Sequence, residues 1–164
     1  MVHDAANNTL ETDTPIAACL TPPAMGGVAV IQVVGGGAPR LVAKCLRSRR
    51  PLDLGNMDPE EIRLCRWVDG EQVVDDALVA VRHGRGGQFV VDISLHGGPR
   101  IVQRALLMLQ QAGARIVQPL ELLDEAHPGV APVEREILPL LLKARTRAVA
   151  VWLVDMVQRL PDRV

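Results

Sequence analysis

From Phe89 to Leu95 apolar residues alternate with polar Asp92 and Ser94, the period of two expected of a half-buried strand. From Pro99 onward Ile101, Ala105, Met108, Leu109 and Ala112 recur at helical spacing, and Gly113 stands where such a helix would stop. Between the two periods lies His96-Gly97-Gly98. The glycines permit a sharp turn, and proline in the first helical turn costs no hydrogen bond. The free N–H groups of that turn could receive a carboxylate or phosphate. The same pattern equally suits a plain strand-to-helix connection without a ligand.

The other elements follow from the same periodicities. Residues 15–20 form a short apolar strand closed by Thr21-Pro22-Pro23. The β-branched run 28–34 reads as a central strand covered on both faces. A helix is expected over 39–46, then a polar loop over 47–59. Strands at 62–68 and 73–81 flank an Asp69-Gly70 hairpin turn, and glycine-rich 84–87 leads into Phe89. A last short strand is expected at 114–117 and an irregular segment at 119–132. From 133 to 160 the pattern is helical, interrupted at Pro139, with apolar residues on more than one face. Unbroken, such a helix would be about 40 Å long and would need partners, either by folding back or from a second copy of the chain. Gly36-Gly37-Ala38-Pro39-Arg40 also parallels Gly97-Gly98-Pro99-Arg100. Duplication and a repeated answer to one turning problem explain this equally well.

Composition narrows the function. Phe89, Trp67 and Trp152 are the only aromatic residues, so the core is aliphatic and stacking platforms for single-stranded nucleic acid are lacking. A net charge of -1 points the same way, leaving only short basic clusters such as Arg47, Arg49 and Arg50. Cys19, Cys45 and Cys65 are odd in number and share no C-x-x-C spacing, which suits free thiols in a reducing cytoplasm. No export signal or membrane-spanning run is present in the sequence.

Several chemistries are excluded by pattern. Gly35-Gly36-Gly37 lacks the Lys-Ser/Thr of a phosphate loop, so no nucleotide site is expected. His3, His83, His96 and His127 form no i, i+4 pair to clamp a metal. Ser48 and Ser94 have no nucleophile-elbow context. Glu60-Glu61 and Asp75-Asp76 are adjacent carboxylates whose side chains diverge, which reads as solvated surface. What remains is recognition: glycine turns where a flat polar ligand meets backbone, and His96, able to bond a heterocycle or to cap its own turn.

Thr14-Pro15-Ile16-Ala17-Ala18, Thr21-Pro22-Pro23, Gly26-Gly27-Val28, Val74-Asp75-Asp76-Ala77-Leu78-Val79, His96-Gly97-Gly98-Pro99 and Gly113-Ala114-Arg115 occur in this order over about 13–119. The ordered set resembles the N-terminal domain of the TrmE, or MnmE, tRNA-modification GTPase family. The resemblance implies an α+β fold, a mixed sheet with flanking helices like the folate-binding domain of aminomethyltransferases, plus a C-terminal helical extension. The implied organisation is a disordered lead-in (1–13), the α+β domain (14–119), a linker (120–132) and a helix (133–160) opening a helical domain. It further implies formyl-tetrahydrofolate binding, a homodimer, a role in tRNA wobble-uridine modification, and a GTPase or flavoprotein partner. The implied folate-binding residues are Thr21, Pro22, Pro23, Gly26, Gly27, Gln32, Gln88, His96, Gly97 and Gly98.

The departures bear on that site. Met25 and Gln32 stand where the family carries arginines, Gln88-Phe89 replaces an acidic pair, and Gln118-Pro119-Leu120-Glu121 replaces Arg-Pro-Gly-Glu. Lost polar partners cost about 1–3 kcal/mol each when buried. With no phosphate loop before Val164, the chain is expected to have no GTPase or catalytic activity of its own, no metal, and little direct contact with tRNA. The alternative is a structural dimer module that has lost folate.

Overall fold

The computed structural model describes residues 14–21, 27–84, 87–126, 136–137, 140–141, 144 and 146–159. The lead-in 1–13, Pro22, Pro23, Met25, Gly26 and the expected break at Pro139 lie outside these residues. The chain divides into two units, Met1–Ala126 and His127–Val164.

The first unit is built on a seven-stranded mixed sheet. Its strands are β1 (Ile16–Cys19), β2 (Val28–Gly35), β3 (Leu46–Arg47), β4 (Ile62–Asp69), β5 (Gln72–His83), β6 (Phe89–His96) and β7 (Arg115–Ile116). They lie in the order β3-β4-β5-β6-β2-β1-β7. All neighbours are antiparallel except β1 and β7. Strand β2 is interior, as its β-branched run predicts.

Alternation along the strands separates two faces. On the first, Ala29, Ile31 and Val33 of β2, Val91, Ile93 and Leu95 of β6, Ala77, Val79 and Val81 of β5, and Trp67 of β4 are all buried. Helices α1 (Ala38–Ala43) and α2 (Pro99–Ala112) cover this face, placing Leu41, Val42, Ala105, Met108 and Leu109 on it. Full burial of each larger aliphatic chain contributes about 1.5–3 kcal/mol. Helix α2 matches its expected bounds because its signals are local. Pro99 opens it, and Gly113 closes it in the left-handed region at φ 114°, its N–H donating to the Gln110 carbonyl.

On the second face, α3 (Pro119–Ala126) covers one end, packing Leu122 and Ala126 on Ile16, Ala18, Val34 and Val90. This helix corrects the irregular segment expected at 119–132. It is eight residues long and amphipathic, and its ordering depends on seating Leu122 against β1 and β2. The rest of that face is open, with Ile62, Leu64, Leu78 and Val28 exposed.

Helix α1 ends at Ala43 rather than near Leu46, since Leu46 and Arg47 join the sheet opposite Trp67 and Arg66. The expected loop 47–59 holds a 3-10 turn (Leu54–Asn56) that buries Leu54 and is capped by Asp53.

In the second unit, α4 (Arg147–Arg159) starts where Thr146 Oγ1 accepts from the Val149 N–H at 3.3 Å. Ala144 is not helical, so the pattern over 133–160 is not one continuous helix. Leu153 is buried, while Val149, Val151, Trp152 and Val154 are exposed. Among the described residues no helix is long and apolar enough to cross a membrane.

Candidate functional site

The candidate residues gather at the end of the sheet where β2 and β6 meet. Val28 pairs with His96, and the Gly97 N–H donates to the Gly27 carbonyl at 3.1 Å. Thr21 joins this end by accepting from the Val30 N–H at 3.3 Å. Thr21, Gly27, His96, Gly97 and Gly98 are thus brought together. Neither Gly27 nor Gly98 has a positive φ, and Gly98 is extended at -174°. A Cβ added at either would meet nothing within 4 Å. The fold therefore does not require glycine at these two positions; the space above them is open. Gly98 is also the N-cap of α2 and offers no side-chain bond to its first turn.

His96 is oriented rather than loose. Its Nδ1 lies 2.6 Å from Asp75 Oδ1, and its backbone N–H donates to Asp75 Oδ2 at 2.8 Å. The hydrogen bond to Asp75, then the charges of Asp75 and Asp76, raise the imidazole pKa above its ordinary 6.5. Asp75 corrects the solvated-surface reading of the 75–76 pair, since its side chain is only 8% exposed. Neighbouring carboxylates on a strand do diverge, and here the divergence turns Asp75 onto His96 and leaves Asp76 exposed.

Four residues along the same two strands, on the second face, Gln32 and Asp92 are cross-strand partners. Gln32 Nε2 donates to Asp92 Oδ1 at 2.6 Å, and Arg82 binds Asp92 Oδ2 through Nε at 3.0 Å and through its terminal nitrogen at 2.7 Å. Asp92 is thereby occupied as a structural anion. Gln32 is 4% exposed, and its Oε1 is buried without a hydrogen-bond partner. Such an orphaned acceptor costs about 1–3 kcal/mol unless something donates to it. Arg82 and Asp75 were not foreseen from sequence, because each acts through a residue on another strand.

Gln88 does not join this group. It precedes β6, and the length of that strand, about 23 Å at its usual rise, separates it from His96. It lines instead a cavity of about 210 Å³ with Thr14, Gly35, Arg115 and Glu125. Cys45 and Cys65 are buried, while half-buried Cys19 places its Sγ 3.3 Å from Thr21 Oγ1. Burial, and next Asp69, push the Cys45 thiol up to about 11, and burial raises Cys65. Among the described residues no group of three or more His, Cys, Asp or Glu side chains could hold a metal.

The family profile described as "GTP-binding protein TrmE N-terminus" matches residues 15–128. The chain belongs to the TrmE N-terminal family. It is 36% identical over 113 residues to the tRNA modification GTPase MnmE of Roseiflexus castenholzii, covering 66% of this chain and 24% of that protein. The MnmE proteins of Moorella thermoacetica (35% over 115 residues; 66% and 25%) and Chloroflexus aurantiacus (37% over 111 residues; 65% and 24%) are similar. The chain thus spans about a quarter of the length of the curated relatives it matches. The match to the TrmE N-terminal family includes α3, in keeping with that helix being part of the sheet unit. On Asp92, Gln32 supplies a neutral donor and Arg82 the guanidinium.

Proposed function

We propose that this chain is a folate-binding module serving tRNA wobble-uridine modification, in which the face around Gln32, Gly27 and His96–Gly98 receives a reduced folate such as formyl-tetrahydrofolate. The observation that carries the reading is the orphaned Gln32 Oε1. A pterin edge presents amino and ring N–H donors that would satisfy it, so the residue fits the group. The open space above Gly27 and Gly98 admits a flat ring close to backbone, and the uncapped first turn of α2 would favour the ligand's carboxylate end. His96, held by Asp75, would donate from its other ring nitrogen when protonated. When bound, a reduced folate supplies a one-carbon unit; the chain's own residues bind and orient it. The three free cysteines suit a cytoplasmic setting.

We also propose that the chain dimerises, on the ground that α4 leaves Val149, Val151, Trp152 and Val154 uncovered. Light scattering at high micromolar concentration should give twice the chain mass, and a monomer there would contradict it. The folate reading is tested by calorimetric titration with formyl-tetrahydrofolate. Saturable binding near one ligand per chain supports it. No heat across the soluble range would overturn it and leave a dimer scaffold without the ligand.

A further inference from the structure

At the opposite edge of the sheet from β7, five arginines converge on a cleft of about 550 Å³: Arg47 of β3, Arg49 and Arg50 beyond it, and Arg63 and Arg66 of β4. Strand β3 is only two residues long, so after Arg47 the chain leaves the β4 edge and carries the next two arginines around the cleft. Arg47 and Arg66 sit directly opposite each other in an antiparallel pair. Like charges so placed are destabilising, and a local rule broken in this way needs a compensating gain. The protein's own acids do not provide it in full. Glu71 meets Arg47 at 3.3 Å and Glu61 meets Arg63, while Asp76, the one acidic residue lining the cleft, stands opposite Arg66 in the β4–β5 pair without bonding to its side chain. Among the described residues the side chains of Arg49, Arg50 and Arg66 make no hydrogen bond or ion pair, and all three residues are exposed. In a chain of net charge -1 this is a local concentration of positive charge that the average conceals.

We propose that the cleft binds the phosphate backbone of a folded RNA, and so docks the tRNA on which the proposed function acts; the inference rests on that reading for its choice of RNA. Guanidinium groups match phosphate oxygens in planar, two-bond geometry, which lysines would not. No aromatic side chain lines the cleft, so the contact is with backbone rather than stacked bases and carries little sequence preference. Only β5 lies between β4 and β6, so Arg66 and the β6 strand that ends at His96 are about 10 Å apart across the sheet. An RNA held by its phosphates here would lie beside the candidate folate face.

The test is fluorescence anisotropy of the full chain with an unmodified tRNA transcript, from about 50 to 200 mM salt. Replacing Arg49, Arg50 and Arg66 together by alanine should weaken binding at least tenfold and lower the slope of log K against log salt by about 2–3. Arg40→Ala, on exposed α1 surface, should change neither. A retained thermal transition shows that the triple variant is folded. If its affinity and slope match wild type, or if polyglutamate displaces the tRNA from wild type more readily than phosphate polymers do, the inference is overturned. Wild type that binds formyl-tetrahydrofolate but not tRNA overturns this inference alone. Arginine-dependent tRNA binding without folate binding sustains it while the folate reading falls.

Discussion

The two glycine turns that look alike in sequence are used differently. In the first, Gly37, the N-cap counterpart of Gly98, would bring a Cβ to 3.5 Å from Pro15, and Gly35, just before the shared motif, sits at φ 142°, where a Cβ would lie 3.0 Å from the Pro15 Cα. Ala38 and Pro39 behind it are buried, so this turn is packed into the domain. In the second, Gly98 is extended, a Cβ would meet open space, and His96, Pro99 and Arg100 are exposed. One turn needs glycine for the fold; the other has glycine where the fold makes no demand. The difference lies in what stands over each turn and in Gly35, one residue before the motif that the two turns share.

The largest effect should come from breaking the first turn. Gly35→Ala forces a side chain into a backbone region that it rarely adopts and against Pro15, and should destabilise by about 1–3 kcal/mol in thermal or denaturant unfolding. An unchanged melting curve would show that the turn is not packed as described.

Next comes Gln32→Leu, at the buried cross-strand position opposite Asp92. It loses the bond to Asp92, worth about 1 kcal/mol, but also removes an unsatisfied buried oxygen, so stability should stay within about 1 kcal/mol. Formyl-tetrahydrofolate affinity should fall at least tenfold in calorimetry. Equal affinity in wild type and variant would remove Gln32 from the site.

The contrast between the turns was only half legible in the sequence. Helix α2 was readable because Pro99, the apolar spacing and Gly113 act within a few residues of one another. Helix α3 was not, since its short pattern is ordered by Leu122 meeting strands about a hundred residues earlier. The site divides the same way. His96-Gly97-Gly98 marks itself, but the Gln32–Asp92 bond joins residues 60 apart and the Asp75–His96 pair residues 21 apart, created by strand register. Gln88 shows the complement: it is close to His96 in sequence and a strand's length away in space.

The smallest effect is in titration. Asp75 raises the His96 pKa, so the pair's contribution is fully present below pH 6.5 and is lost as pH rises through the higher folded-state value. Proton NMR should give a His96 midpoint above 6.5, and Asp75→Asn should move it back toward 6.5. A wild-type midpoint at or below 6.5 would mean the carboxylate does not hold the ring. Folate binding that uses protonated His96 should weaken over the same rise in pH.

The central claim is that the second turn is shaped for a ligand and not for the fold, and Gly98→Ala addresses it most directly. The variant and wild type would be melted and titrated with formyl-tetrahydrofolate side by side. Loss of N-cap glycine and gain from a stiffer unfolded chain nearly offset, so the transition should move by less than about 1 kcal/mol while affinity falls at least tenfold. A destabilised variant, or one that binds as tightly as wild type, would contradict the claim.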